Sequence, residues 1–150
     1  MDDLERVLQA HAFLQDMKPE HVRALVGCTR QLRFRAGEYL MRAGESEDTL
    51  YLIRQGSVAI EMHRPGDAEA TCLETLGPGD VLGVSLLTPA PAHLDCRARE
   101  TVVALAVDNR CLLGMMEADP HLGYIMSMRL LQRTYDRLAR ARLQHLDVYR

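Results

Sequence analysis

Between Cys28 and Leu76 the chain is cut into short extended pieces, each closed by glycine or proline, and no other feature restricts its possible folds as much. Cys28 to Arg35 alternates, with Leu32 and Phe34 on one side and Arg33 and Arg35 on the other, as a half-buried strand does. Ala36-Gly37-Glu38 turns it, Tyr39-Leu40-Met41 is the next strand, and Ala43-Gly44-Glu45 turns again. Thr49 to Arg54 is strand-like, and Gln55-Gly56-Ser57 is a tight turn into Val58 to Met62. Pro65-Gly66-Asp67 separates that strand from Ala70 to Leu76. Strands at roughly ten-residue spacing, joined by short connections, mark an antiparallel jelly roll or barrel.

Helices flank this β region. Leu4, Val7 and Leu8 fall at helical spacing within residues 2–10, and Pro19 suits the first turn of a second helix running to about Val26. After Asp108 the period changes from two to 3.6. Arg110 to Glu117 reads as a short helix stopped by Asp119-Pro120, and a long helix follows from His121 to about Asp147. Tyr124, Met128, Leu131, Tyr135 and Leu138 recur in four-three alternation, a coiled-coil-like seam. Such a helix is about 40 Å long, more than a small barrel covers. Met128, Leu131, Tyr135 and Leu138 are therefore the expected homodimer interface. Arg142 interrupts the seam, while Leu143 and Leu146 keep the helix amphipathic. Arg129, Arg133, Arg137 and Arg140 form a basic stripe that reads as the solvated outer face of a dimer helix. The expected layout is one domain over residues 1–150: helices at 1–28, β-barrel at 29–108 and helices at 109–150.

Composition narrows the setting. A chain of 150 residues with 47% apolar and 26% charged residues is an ordinary soluble globular domain. Its formal charge of −3 gives no reason for non-specific attraction to nucleic acid or anionic lipid. No apolar run approaches a membrane span, and the acidic start lacks the order of a signal peptide. The four cysteines, Cys28, Cys72, Cys96 and Cys111, form no Cys-x-x-Cys pair, so reduced, partly buried thiols in a cytoplasm are expected.

Residues 79–98 are the candidate site. The turn Pro78-Gly79-Asp80 leads through a short apolar strand to the small-residue corner Gly83-Val84-Ser85. A proline-rich loop, Thr88 to Ala92, follows, and a long extended segment runs to Asp108. Glycine ahead of a short helix is how backbone N–H groups are brought close to an anion. This order resembles the phosphate-binding cassette of cyclic nucleotide-binding domains. Together with Phe34-Arg35-Ala36-Gly37-Glu38, Ala43-Gly44-Glu45, Tyr51-Leu52-Ile53-Arg54-Gln55-Gly56 and Leu76-Gly77-Pro78-Gly79-Asp80, it makes the whole chain similar to the sensor half of the Crp/Fnr family. The resemblance implies a mainly β, antiparallel jelly-roll barrel with flanking helices and a long C-terminal dimerisation helix.

The same resemblance shows what is missing. Binding members follow the corner glycine with a glutamate for the ribose hydroxyl, where this chain has Val84 after Leu82-Gly83. The arginine that holds the cyclic phosphate falls on Ala92, and the assisting serine or threonine falls near His93 to Asp95. Arg97 and Arg99 lie nearby, but the five-residue shift from Ala92 to Arg97 is odd in number and inverts the strand's faces. Losing two charge-assisted bonds at roughly 1.5–3 kcal/mol each weakens binding at least about a hundredfold. Cyclic AMP and cyclic GMP are thus disfavoured ligands, and no other cofactor is expected. The transcription factors of the family continue into a helix-turn-helix, and nothing here reads as a recognition helix. Leu82-Gly83-Val84-Ser85-Leu86 and Leu146-Asp147-Val148-Tyr149 resemble short stand-alone bacterial members, which implies a complete chain without direct DNA binding.

The expectation is a non-enzymatic, cytoplasmic, homodimeric sensor domain acting through a protein partner. Three alternatives stand beside it: a cyclic nucleotide sensor using Arg97 or Arg99, a redox-responsive protein using Cys96 or Cys72, and a cupin-like metal enzyme. His93-x-Asp95 beside Cys96 supplies too few ligands for zinc, and no nucleophilic Ser-His-Asp or Cys-His grouping has sequence support.

Overall fold

The extended pieces form two open antiparallel sheets rather than a closed barrel. A computed structural model describes residues 3–87 and 91–148, with the side chains of 85, 86, 147 and 148 excepted. Helices α1 (Asp3–Ala10) and α2 (Pro19–Val26) flank a 3₁₀ turn at Ala12–Leu14. Strands β1 (Thr29–Phe34), β2 (Tyr39–Met41), β3 (Thr49–Gln55), β4 (Val58–Met62), β5 (Thr71–Leu76), β6 (Val81–Leu82), β7 (Asp95–Ala98) and β8 (Val102–Asp108) follow. Helices α3 (Asn109–Ala118) and α4 (Pro120–Val148) end the chain. Among the described residues no helix is long and apolar enough to cross a membrane.

One sheet runs β1-β8-β3-β6 and the other β2-β7-β4-β5. The long extended segment expected up to Asp108 is therefore two strands in different sheets. It breaks at Arg99-Glu100-Thr101, three exposed polar residues, where the Arg99 N–H is drawn 2.9 Å from the Ser57 carbonyl. Past that break β8 lies between β1 and β3, and its residues Val102 to Val107 are all buried. A strand covered on both faces reads as a continuous apolar run, which is why this one shows no alternation.

The sheets share one apolar cluster. Ile53, Leu82, Val102 and Ala104 come from the first sheet, and Leu40, Val58, Ile60, Leu76, Cys96 and Ala98 from the second. Burying a large aliphatic side chain contributes about 1.5–3 kcal/mol, so this cluster, not strand propensity, holds the sheets together. At the N-terminus Leu8, Val22 and Leu25 are buried, and the Arg23 Nε lies 3.3 Å from the buried Glu5 carboxylate, tying α2 to α1.

The chain divides into two compact units, Met1–Leu112 and Leu113–Arg150. In the second unit Asp119 caps α4, its Oδ1 accepting from the His121 and Leu122 N–H groups at 3.1 and 3.3 Å. Gly123 admits a close approach: a Cβ there would lie 2.8 Å from the Met116 carbonyl oxygen. Along α4, Leu122, Met126 and Leu130 are buried. Tyr124, Met128, Leu131, Tyr135 and Leu138 form a separate row, between 46% and 64% exposed. Of the basic stripe, Arg140 is exposed and Arg129, Arg133 and Arg137 are half-buried.

The cysteines also depart from expectation. Cys28 and Cys111 form a disulfide with their Cα atoms 5.7 Å apart, while exposed Cys72 and buried Cys96 are not disulfide-bonded. The register explains the pairing. Thr29 faces Val107, so Cys28 and the first turn of α3 arrive at the same end of the sheet.

Candidate functional site

The cassette is seated on β3. The Gly79 N–H donates to the Ile53 carbonyl at 2.9 Å, and the Ile53 N–H donates to the Asp80 carbonyl at 2.9 Å. The Asp80 carboxylate holds the turn by accepting from the Gly77 N–H at 2.8 Å. His11 reaches the same place from the N-terminal region. Its Nδ1 accepts from the Phe13 N–H at 3.1 Å, so Nε2 carries the proton and donates to the Ile53 carbonyl at 2.8 Å.

From that turn β6 pairs with β3, with Tyr51 facing Leu82 and Leu52 facing Val81. Gly83 comes next, at φ +86°, where a Cβ would collide with the Thr49 carbonyl oxygen. Only glycine meets both conditions. A 3₁₀ turn at Val84–Leu87 completes the corner. The Ser85 side chain and loop residues 88–90, singled out in the sequence, lie outside what the structure describes.

The chain re-enters at Pro91, which bridges Ser46. The Ala92 N–H donates to the Glu45 carbonyl and its carbonyl accepts from the Gly44 N–H, both at 2.9 Å. The Ala92 side chain is buried, His93 is exposed and Leu94 packs against the apolar cluster. Asp95 serves the backbone, since its Oδ1 accepts from the Ala43 N–H at 2.8 Å and so fixes the Ala43-Gly44-Glu45 turn. Val84 is half-buried and Leu82 is in the core.

Arg97 and Arg99 alternate with Cys96 and Ala98, which belong to the core, and so occupy the other face of β7 and its exit. The Arg97 guanidinium lies 2.9 Å from the buried Glu61 carboxylate, and Arg99 donates to the Thr75 hydroxyl at 3.2 Å. Breaking such an ion pair from one side strands the buried partner's charge, so Arg97 is held where it is.

Beside the cassette a cavity of about 190 Å³ is lined by Arg42, Glu45, Glu47, Asp48 and Tyr51, among others. Small-molecule sites are commonly about 300–1,000 Å³, so this space is small for a nucleotide. Three of its lining residues are acids. Its arginine, Arg42, lies with its guanidinium carbon 4.1 Å from the centre of the Tyr39 ring. Tyr51 meets Phe34 edge-to-face at 5.9 Å. Burial first, and then the Asp48 carboxylate, push the Tyr51 phenol above its ordinary value of 10.0, against smaller opposing effects of Thr49 and Arg30.

Among the described residues no group of three or more His, Cys, Asp or Glu side chains is arranged to hold a metal. Sequence reasoning did not single out His11 or Glu61. The acidic run Glu45-Ser46-Glu47-Asp48 was visible as charge but carried no sign that it borders the cassette.

Two substitutions test this geometry. Gly83→Ala should lower stability by more than about 2 kcal/mol in urea unfolding, since the residue must leave φ +86° or displace Thr49. For Tyr51 the sign follows from its raised value. Ionisation is harder folded than unfolded, so its contribution is intact below pH 10.0 and is lost as pH rises through the folded-state value. Melting curves above pH 10 should therefore fall more steeply for the native protein than for Tyr51→Phe.

A family model for the cyclic nucleotide-binding domain matches residues 31–119. A Geobacter metallireducens structure described as a cyclic nucleotide-binding protein superposes with a TM-score of 0.78 at 22% identity, covering 92% of this chain and 99% of that one. The regulatory subunit of a cAMP-independent protein kinase A from Trypanosoma brucei, in a mutant form bound to cAMP in its A site, gives a TM-score of 0.71 at 26% identity. That match covers 88% of this chain and 46% of the subunit. The cGMP-dependent protein kinase egl-4 of Caenorhabditis briggsae is 28% identical over 76 residues, 51% of this chain but only 9% of the kinase. With more than half of its length matched by the family model, and with the cassette in place, the chain belongs to the cyclic nucleotide-binding domain family.

Proposed function

We propose that this chain is a non-enzymatic sensor-type domain whose cassette is not tuned to cyclic AMP or cyclic GMP. The observation that carries this reading is buried Ala92 at the arginine position, beside a cavity bordered by Glu45, Glu47 and Asp48. A cyclic phosphate brought there would meet carboxylates and no guanidinium in the arginine's place. The displaced-arginine alternative has little support, because Arg97 and Arg99 are committed to Glu61 and Thr75 on the opposite face. One similar protein is the regulatory subunit of a protein kinase A described as cAMP-independent, which in a mutant form binds cAMP in its A site.

A ligand at a hundred times its dissociation constant adds about 2.7 kcal/mol, several degrees in melting temperature. Thermal denaturation with millimolar cyclic AMP or cyclic GMP should shift the native protein by less than about 1 °C. A shift of several degrees that vanishes in Arg97→Ala or Arg99→Ala would establish the nucleotide sensor instead.

The domain acts as a homodimer and through a protein partner, in a cytoplasmic setting. The dimer is supported by the exposed row Met128, Leu131, Tyr135 and Leu138, each side chain worth about 1.5–3 kcal/mol on full burial. Light scattering at tens of micromolar should find a dimer, a range in which weak association registers. Replacing Leu131 and Leu138 together by Glu should give a folded monomer. A native monomer at that concentration would refute the seam.

A further inference from the structure

We propose that the Cys28–Cys111 disulfide is a reversible thiol–disulfide exchange site that latches the first turn of α3 to the entry of β1. The bond joins residues 83 apart in sequence, and its two ends differ in access: Cys111 is exposed, whereas Cys28 is buried. An incoming thiolate therefore attacks the Cys111 sulfur, forming a mixed disulfide there and expelling Cys28 as the thiolate. The second thiol of a dithiol reductant then attacks its own sulfur in the mixed disulfide and releases Cys111. The protein gains two electrons and two protons, and the reductant leaves as a disulfide. Reversal needs a protein or small-molecule disulfide as oxidant. In a reducing compartment a disulfide of this kind is typically transient and redox-sensing rather than a permanent staple.

The surroundings of the bond are built for release without unfolding. At the strand end the Asp108 N–H donates to the Cys28 carbonyl at 2.9 Å, a backbone bond independent of the sulfurs, and at the start of α3 the Asn109 N–H donates to the Asp48 carbonyl at 3.0 Å. The Asp108 carboxylate caps the Cys111 N–H at 2.8 Å. The same turn nevertheless carries an opposing force. The Asn109 side chain is buried, and both its Oδ1 and Nδ2 lack a hydrogen-bond partner among the described residues. A buried amide in that condition favours any motion that returns it to water. The cross-link holds the turn closed against this tendency. A cavity of about 250 Å³, lined by Cys28, Thr49 and Asp108 among others, adjoins the bond and gives the freed turn room. The latch also sits just before the boundary at Leu112 where α3 passes from the first compact unit into the second. The redox alternative drawn from the sequence pointed to Cys96 or Cys72. The structure assigns the chemistry to the other two cysteines.

The test uses the full chain with no nucleotide and no assembly readout, so it stands or falls apart from the proposed function. Protein purified without reductant is alkylated and digested. Cys72 should be labelled, and Cys28 and Cys111 should be recovered as one linked pair. Equilibration with dithiothreitol of graded oxidation state should open and re-form the pair in a single two-electron transition, without denaturant. Reduction should lower the melting temperature by about 5–15 °C and raise amide hydrogen exchange at residues 109–112 at least about tenfold, while the β8 amides keep their protection. Cys111→Ser should behave like the reduced native protein with or without reductant, and Cys28→Ser should match it. Immediate alkylation of both Cys28 and Cys111, resistance to millimolar dithiothreitol in the native state, or unchanged exchange at 109–112 on reduction would each overturn the proposal.

Discussion

The carbonyl of Ile53 accepts from both His11 and the Gly79 N–H, while the Ile53 N–H donates to Asp80. Through this one residue the N-terminal segment, the central strand β3 and the cassette share a reference point. A carbonyl has two lone pairs, and here both are used. Remove either donor and a buried acceptor is left short while the cassette turn loses its seat. The position of Gly83, the descent into the 3₁₀ turn and the return at Pro91 all follow from where that turn is pinned.

The outline of the site and its chemistry are governed by different residues. The outline is backbone work: Gly83 against Thr49, Ala92 laced to Gly44 and Glu45, and Asp95 holding Ala43. None of these contacts requires a charged group facing the cavity. The proposed function rests on the resemblance that puts the family's carboxylate and guanidinium at Val84 and Ala92, which supply neither. Under the proposed function, the shape persists without the ligand chemistry. The acidic residues at the cavity edge then turn the local field against anions.

The sequence made most of the strands legible because their turns depend on glycine. Gly37, Gly44, Gly56 and Gly66 all have positive φ, a backbone state that few other residues accept. Where the chain turns without glycine the reading failed. Arg99-Glu100-Thr101 carries neither glycine nor proline, so β7 and β8 merged into one segment. Face parity, by contrast, could be worked out beforehand, since a pleat alternates without exception along a regular strand. Within β7 that parity sets Arg97 on the face opposite Cys96 and Ala98, while Ala92 lies ahead of the strand, outside its pleat. The disulfide could not be worked out beforehand. No local motif links positions 83 apart, and the pairing follows only from the β1–β8 register, a long-range fact. His11 was missed for a similar reason, because its partner Ile53 is distant in sequence and the accepting atom belongs to the main chain, which leaves no trace in composition.

The Cys28–Cys111 bond also changes the connectivity of the molecule. Every strand of both sheets lies between the two cysteines, so the β region is a covalent ring rather than an open thread. A protease that cuts an exposed turn such as Arg64 to Asp67 does not divide an oxidised molecule. The two pieces stay tethered, with their sheets still interleaved, and separate only when the sulfurs are reduced. The redox state of one residue pair thus decides whether a nick in this domain is a scar or a scission.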